Sequence, residues 1–293
     1  MRKKGIKEYF VFGVIAVISV GLILATTRIG SKKYYPFDDS NMQIVFLGDS
    51  NIANYVEGKT IPDRVAEMLH CDVYNAAVGG TTAAKVNTDN YFDRSGDLFC
   101  LYNISRIMEI EEYQLLLDSY DSLEYNETEG IGKMNMLVNI EYDKIDYVVI
   151  SYGMNDYLAG IALGNDAEPY DETTFEGALR SAIERIQSLC PNSTIIISGI
   201  TYCAYTDSND PAKDGYNHSW GGGYISDYRD SAQKVAAEYD NIVFMDSLEL
   251  MDIDATNYEQ YLWDGIHFEL QAQELYAECL VDVITEVESN KDE

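Results

Sequence analysis

Five short apolar segments recur along the chain, and each is followed closely by glycine or polar residues. They lack the alternation of apolar and polar residues that marks a strand with one face in water, so we expect strands buried on both faces, as in a parallel sheet. Helical patterns separate them, which indicates a doubly wound α/β fold. The predicted strands cover residues 43–47, 72–75, 147–151, 194–198 and 242–245, and the predicted helices cover residues 62–69, 173–189, 224–239 and 268–287.

Residues 83–143 interrupt this rhythm of strands and helices. They combine a helical section at about 101–120 with a polar, Glu-rich section at about 124–132. Neither an internal repeat nor a Pro-rich linker divides the chain, which contains five prolines. We therefore expect one α/β domain over residues 34–293, with an insertion at about 83–143 that lies over the site.

The first 33 residues differ in character from the rest of the chain. Arg2, Lys3, Lys4 and Lys7 precede an uncharged apolar run over residues 9–27, which is about long enough to span a bilayer. A cleaved signal peptide, the alternative, would usually have a shorter apolar core and a clear small-residue cleavage site. We predict an uncleaved membrane anchor, with the rest of the chain exported because basic residues favour the cytoplasmic side.

The chain is strongly acidic, with a formal net charge of −30. This charge makes nucleic acid an unsuitable partner, because binding to phosphates depends on basic residues. The five cysteines are widely spaced and include no CxxC pair, so they indicate neither a metal site nor a disulfide framework. The acidic segment at 207–210 lacks the spacing of a calcium loop. We predict no metal and no cofactor.

Polar motifs stand at the predicted carboxyl ends of the strands, where an open parallel sheet binds its ligands. In the first motif Ser50 follows the strand at once, and Gly48 permits a tight exit. In the second motif Gly79 and Gly80 are suited to bring a backbone N–H close to a substrate oxygen. Each motif taken alone is also typical of an ordinary turn.

Two further motifs carry an amide, two carboxylates and an imidazole. Asn155 follows the third strand and is suited to donate to a developing oxyanion, while Asp156 beside it could brace the loop. Asp264 lies three residues before His267, just ahead of the last predicted helix, so that its carboxylate can reach the imidazole across a turn. The alternatives are an Asx turn and a helix cap, respectively.

Taken together and in this order, the four motifs resemble the block pattern of the SGNH (GDSL-type) hydrolases. The resemblance covers about residues 43–287 and implies a flavodoxin-like three-layer α/β/α sandwich with a five-stranded parallel sheet. It also implies that Ser50 is the nucleophile, that His267 is the general base and acid, and that Asp264 orients the imidazole.

The same resemblance implies an oxyanion hole made of the backbone N–H groups of Ser50 and Gly80 and the side-chain amide of Asn155. Because two glycines are adjacent, Gly79 is the second choice for the donor that we assign to Gly80. We expect three other residues to lie near the substrate, namely Asp49, Gly79 and, in a loop after the fourth strand, Trp220.

These assignments predict an enzyme that hydrolyses carboxylic esters through an acyl-serine intermediate. The exported location suggests a small-molecule or carbohydrate ester as the substrate, such as O-acetyl groups on a polysaccharide. Two alternatives remain open. The same triad serves acyl transfer to a glycan hydroxyl when water is kept out, and a surface binding protein could keep the fold without turnover.

Overall fold

Five parallel strands form the central sheet of the protein, in the order β2-β1-β3-β4-β5. The computed structural model describes residues 41–86, 98–110, 132–133, 136–204 and 213–291. The strands are β1 (Gln43–Gly48), β2 (Asp72–Asn75), β3 (Tyr147–Ser151), β4 (Thr194–Ser198) and β5 (Ile242–Met245). This order is the flavodoxin-like one, so the predicted sheet is confirmed.

The central strands are buried because nearly every side chain in them is apolar. Every residue of β1 is buried, and Tyr147 to Ile150 of β3 have no exposed surface. This pattern matches a sheet covered on both faces, and it explains why an uninterrupted apolar run predicted these strands well. The last residues of β1 and β3, Gly48 and Ser151, lie side by side in the parallel register, so the residues after them emerge at one edge.

Eight α-helices are assigned bounds in the described residues. They are α1 (Ser50–Ala53), α2 (Ile61–Leu69), α3 (Leu101–Ile110), α4 (Met154–Leu158), α5 (Phe175–Leu189), α6 (Ile225–Ala236), α7 (Ser247–Leu250) and α8 (Leu270–Lys291). Helix α2 packs against α8, and α5 packs against both α3 and α6. These packed helices cover the sheet and give the three-layer α/β/α architecture.

Local signals fix the helix starts. Helix α2 begins after Thr60, whose side chain accepts from the Asp63 N–H while the Asp63 carboxylate accepts from the Thr60 N–H. Helix α5 begins after Thr174 in a similar way, with the Thr174 hydroxyl accepting from the Gly177 N–H. Such caps satisfy backbone donors that a helix start leaves open.

The last helix starts later than the sequence suggested. Residue 268 was the predicted start, but Phe268 pairs with Leu262 in an isolated antiparallel bridge and α8 begins at Leu270. The bridge holds Phe268 in an extended conformation, which excludes it from the helix. The segment between the two bridge partners is therefore a closed loop, and it contains Asp264 and His267.

The predicted anchor at residues 1–33 lies outside the described residues and remains a prediction. Among the residues that the structure describes, no helix has both the length and the apolarity to cross a bilayer. Within the predicted insertion at 83–143, α3 is described and packs against α5, while residues 87–97, 111–131 and 134–135 are outside the description.

Candidate active site

The strand-to-helix turn at the end of β1 presents Ser50 at the sheet edge. The Asp49 side chain caps the short helix α1 by accepting from the Asn51 N–H at 3.0 Å, and Ser50 is the first residue of that helix. Gly48 is required for this turn, because a Cβ there would lie 2.8 Å from Cγ1 of Ile52. The sequence motif was recognised, but the short helix was not predicted.

Ser50, His267 and Asp264 form a continuous hydrogen-bonded relay. Ser50 Oγ lies 2.9 Å from Nε2 of His267, and Nδ1 of His267 lies 2.6 Å from Oδ2 of Asp264. Although 217 positions separate Ser50 from His267 in the sequence, the structure brings all three predicted residues together. In this arrangement the imidazole can accept a proton from the hydroxyl while the carboxylate fixes its tautomer.

The Asp264 carboxylate is held ionised by its own loop. Partial burial acts to raise the pKa of this group, but hydrogen bonds from the His267 backbone and ring and from the Ile266 N–H outweigh burial and lower the pKa below its usual range. Its Oδ1 accepts from the Ile266 and His267 N–H groups at 3.0 and 2.8 Å. The other oxygen therefore remains directed at the imidazole.

Asn51 links the nucleophile turn to the loop that carries His267, and sequence reasoning missed it. Its Nδ2 donates to the Ile266 carbonyl at 3.4 Å, and its Oδ1 accepts from the Phe268 N–H at 3.3 Å. The residue is buried, with 7% of its surface exposed. The side chain thus contacts the backbone on both sides of His267. The signal for this role in the sequence was that Asn51 directly follows Ser50.

The glycine loop and Asn155, which are expected to stabilise an oxyanion, lie next to the turn that carries Ser50. Gly79 lies close to Ser50, since a Cβ built on it would be 3.6 Å from Cβ of Ser50, and Gly80 adopts a φ of +76°, which favours glycine. The buried Asn155 amide donates to the Thr81 carbonyl at 2.9 Å and has a longer contact of 3.5 Å with Oδ2 of Asp49. The glycine loop and Asn155 are therefore fixed against each other.

Two buried carboxyl groups support these loops. Burial raises the pKa of Asp156 to about 7, even though its oxygens accept from the Ala83 and Ala84 N–H groups at 2.8 and 3.1 Å. Burial likewise raises the pKa of Asp49 to about 6, against the opposing effects of the Asn51 N–H and of His267. The sequence suggested that Asp156 braces the loop of its own motif, but its oxygens instead hold the loop that follows Gly80.

Trp263 is an aromatic residue that contacts the relay, and it was not predicted from the sequence. Its ring stacks on the His267 imidazole with centroids 5.4 Å apart and planes inclined by 20°. Trp220, the predicted substrate residue, instead packs edge-on against His218 at 4.8 Å, and the Tyr157 hydroxyl donates to the His218 carbonyl. Its place near the substrate stays a prediction.

A small cavity lies at the carboxyl ends of the strands, behind the turn that carries Ser50. It has a volume of about 20 Å³, which is room for about one water molecule. Its lining combines polar residues, among them Asp49, Asn51 and Ser151, with apolar ones such as Met154 and Phe268. In the described part of the chain, no cluster of His, Cys, Asp and Glu side chains is arranged to hold a metal ion.

Comparisons with solved structures identify the fold. The chain is similar to proteins from Lactobacillus plantarum (17% identity, TM-score 0.55, covering 84% of this chain and 98% of that one) and Chitinophaga pinensis (16%, 0.53, 84% and 98%). It is also similar to a GDSL-like protein from Bacteroides ovatus (16%, 0.51, 84% and 99%). No curated protein matches the sequence significantly. At these identities the likeness concerns the fold alone.

The family is identified by the sequence itself. The model of the GDSL-like lipase/acylhydrolase family matches residues 44–280, a range that contains every residue of the relay and of the glycine loop. The match confirms the resemblance inferred from the four motifs. The chain therefore belongs to the GDSL-like lipase/acylhydrolase family and is a serine ester hydrolase.

Proposed function

We propose that the protein hydrolyses carboxylic esters through an acyl intermediate on Ser50. One observation carries the proposal, namely the relay in which Ser50 Oγ lies 2.9 Å from His267 Nε2 and His267 Nδ1 lies 2.6 Å from Asp264. A neutral serine hydroxyl is a poor nucleophile until a base removes its proton, and this geometry supplies that base.

In the first half of the reaction, Oγ of Ser50 attacks the ester carbon while Nε2 of His267 takes the hydroxyl proton. The tetrahedral intermediate then collapses, the bond to the alcohol oxygen breaks, and His267 returns the proton to that oxygen. Water repeats the sequence on the acyl-serine and releases the acid. The ionised Asp264 stabilises the imidazolium formed in both halves.

The negative oxygen of the intermediate is stabilised by the Ser50 and Gly80 N–H groups and by Asn155. One N–H of the Asn155 amide is held by the Thr81 carbonyl at 2.9 Å. Among the described residues, the second N–H has the longer contact of 3.5 Å with Asp49, so it is the one that we assign to the oxyanion. Donors fixed in advance are effective because they need no reorganisation as charge develops.

Hydrolysis is favoured over acyl transfer by the openness of the relay. The side chains of His267 and Asp264 are 25% and 30% exposed, so water can approach the acyl-serine. Transfer to a glycan hydroxyl would need a site that excludes water. A binding protein without turnover is also disfavoured, because Ser50, His267 and Asp264 are all placed for catalysis.

Two finer parts of the proposal concern location and substrate. The apolar run in residues 9–27 supports anchoring of the domain to the outer face of a membrane. An exported enzyme meets surface or dietary polysaccharides, which supports esters on carbohydrate as substrates. Release of the active protein from washed cells without detergent would contradict the anchor.

The decisive experiment measures p-nitrophenyl acetate hydrolysis and fluorophosphonate labelling by the purified full-length protein. We expect both in the wild type and neither in Ser50→Ala, because the covalent route needs the hydroxyl. Ser289→Ala, at the exposed end of α8, is the matched control and should retain both. Equal hydrolysis rates for the wild type and Ser50→Ala would refute the proposal.

A further inference from the structure

Trp263 is unusual among the large aromatic side chains because it is exposed and yet contacts the relay. Its relative exposure is 62%, while one face of its indole lies on the His267 ring at a centroid distance of 5.4 Å. The opposite face is therefore directed to solvent. An exposed indole beside a reacting group offers a flat apolar surface to whatever binds there.

The indole is held in place by the closed loop described above. The backbone N–H of Trp263 donates to the backbone carbonyl of His267 at 3.0 Å. Leu262, which precedes Trp263, and Phe268, which follows His267, pair in the antiparallel bridge. The loop backbone thus fixes Trp263 and His267 to each other. A platform that is already ordered binds a ligand without the entropic cost of ordering it.

The reaction geometry decides which part of the ester meets Trp263. The leaving oxygen must lie within hydrogen-bond reach of His267 Nε2, because His267 returns the proton to it. The carbonyl oxygen must point instead to Gly80 and Asn155. The alcohol side of the ester is therefore the side next to His267, and Trp263 stacks on that residue.

The surroundings indicate what kind of alcohol this is. The cavity behind the strand ends has room for about one water molecule and is lined by neither His267 nor Trp263, so the alcohol lies outside it, on the exposed side of the relay. The net charge of −30 disfavours anionic alcohols. A neutral pyranose fits both conditions, since its C–H face can lie on the indole while its hydroxyl groups remain in water.

We propose that Trp263 is the platform for a neutral sugar ring on the alcohol side of the ester, so that the substrates are esters of carbohydrate. This inference rests on the proposed function of Ser50 and adds a specificity determinant to it. Trp263 takes no part in the bond changes. It places the sugar hydroxyl that carries the acyl group beside His267.

The test compares three acetate esters that differ only in the alcohol. These are the mixed monoacetates of methyl glucopyranoside, ethyl acetate and acetylcholine, with released acetate measured for the full-length wild type, Trp263→Ala and Trp263→Phe. Tyr170→Ala, an exposed aromatic in the loop before α5, is the matched control. Fluorophosphonate labelling reports the reactivity of Ser50 independently of the alcohol.

We expect Trp263→Ala to lower kcat/KM for the sugar acetates about tenfold relative to ethyl acetate, as the loss of one aromatic contact implies, mainly through KM. Trp263→Phe should recover part of the difference, and Tyr170→Ala should match the wild type. An equal loss for all three esters would overturn the inference, since Trp263 would then only support His267.

A wild-type preference for acetylcholine that disappears in Trp263→Ala would also overturn the inference, because the platform would then serve a cation. In either case the wild type would still hydrolyse ethyl acetate and its Ser50 would still be labelled, so the proposed function would survive. Absence of all hydrolysis and of all labelling in the wild type would instead refute both.

Discussion

Asn51 hydrogen-bonds to the backbone on both sides of His267, through the Ile266 carbonyl and the Phe268 N–H. The residue that follows the nucleophile thus fixes the loop that carries the base. Since Asn51 is the second residue of α1 and is itself buried, the distance between Ser50 and His267 depends on one side chain as well as on the packing of the helices.

Replacing Asn51 with alanine should therefore lower kcat more than it raises KM. We expect a fall of about 10–100-fold in kcat, because a small displacement of His267 from Ser50 weakens proton transfer. Loss of the two buried hydrogen bonds should also lower the free energy of unfolding by about 1–3 kcal/mol. Steady-state kinetics and urea denaturation measure the two effects. Asn192→Ala, at an exposed position, is the control, and an unchanged kcat would contradict the positioning role.

Replacing Asp264 with asparagine should separate catalysis from folding. The asparagine oxygen can still accept from the Ile266 and His267 N–H groups, so the melting temperature should change little. Loss of the charge and of the correct imidazole tautomer should reduce kcat by about 10³–10⁴-fold. Thermal denaturation and ester hydrolysis test this pair of outcomes. A variant that retains most of its kcat would show that Asp264 does not orient His267.

Replacing Asn155 with alanine should remove one donor to the oxyanion. We expect kcat to fall by about 10²–10³-fold with little change in KM, because the donor acts on the charge that develops in the transition state. The variant also loses the hydrogen bond to the Thr81 carbonyl, so circular dichroism should confirm that it is folded. A rise in KM at constant kcat would place Asn155 in substrate binding instead.

Asp49 should make stability depend on pH. Its pKa is raised from 3.8 to about 6 in the folded protein, so the folded state keeps a proton that the unfolded state loses above about pH 4. The stability that this proton contributes is present below pH 4 and is lost as the pH rises through 6. Between pH 4 and pH 7, the free energy of unfolding of the wild type should fall by about 3 kcal/mol relative to that of Asp49→Asn.

Urea denaturation at pH 4, 5.5 and 7 measures this dependence. Asp240→Asn, which changes an exposed aspartate, is the control, and its stability relative to the wild type should vary little with pH. If the difference in free energy of unfolding between the wild type and Asp49→Asn stayed constant across the three pH values, burial of Asp49 would not govern its protonation.

Sequence patterns predicted the sheet because a strand covered on both faces has a nearly unbroken apolar run, as β1 and β3 do. The relay of Ser50, Asp264 and His267 was predicted by the resemblance to the SGNH hydrolases that the four motifs carry together, since each motif alone is also typical of a turn or a helix cap. The start of α8 was predicted two residues early, because the pairing of Phe268 with Leu262 is a tertiary contact that helical periodicity does not reveal.

Two residues at the site could not be predicted from the sequence for a similar reason. The role of Asn51 depends on a partner 215 positions away, the carbonyl of Ile266. Trp263 becomes relevant only because the loop turns its ring onto His267, whereas Trp220, the tryptophan that the sequence suggested, packs against His218. Side-chain direction in loops is set by contacts that the fold creates.

The separation of Ser50 and His267 by 217 positions has a consequence for biosynthesis. During translation the nucleophile leaves the ribosome long before its base exists, so a nascent chain carries an inert serine. Contacts between such distant positions form late, because closing the intervening chain costs entropy. Labelling of Ser50 by a fluorophosphonate would thus appear only when the last helix docks, so it would report the completion of folding.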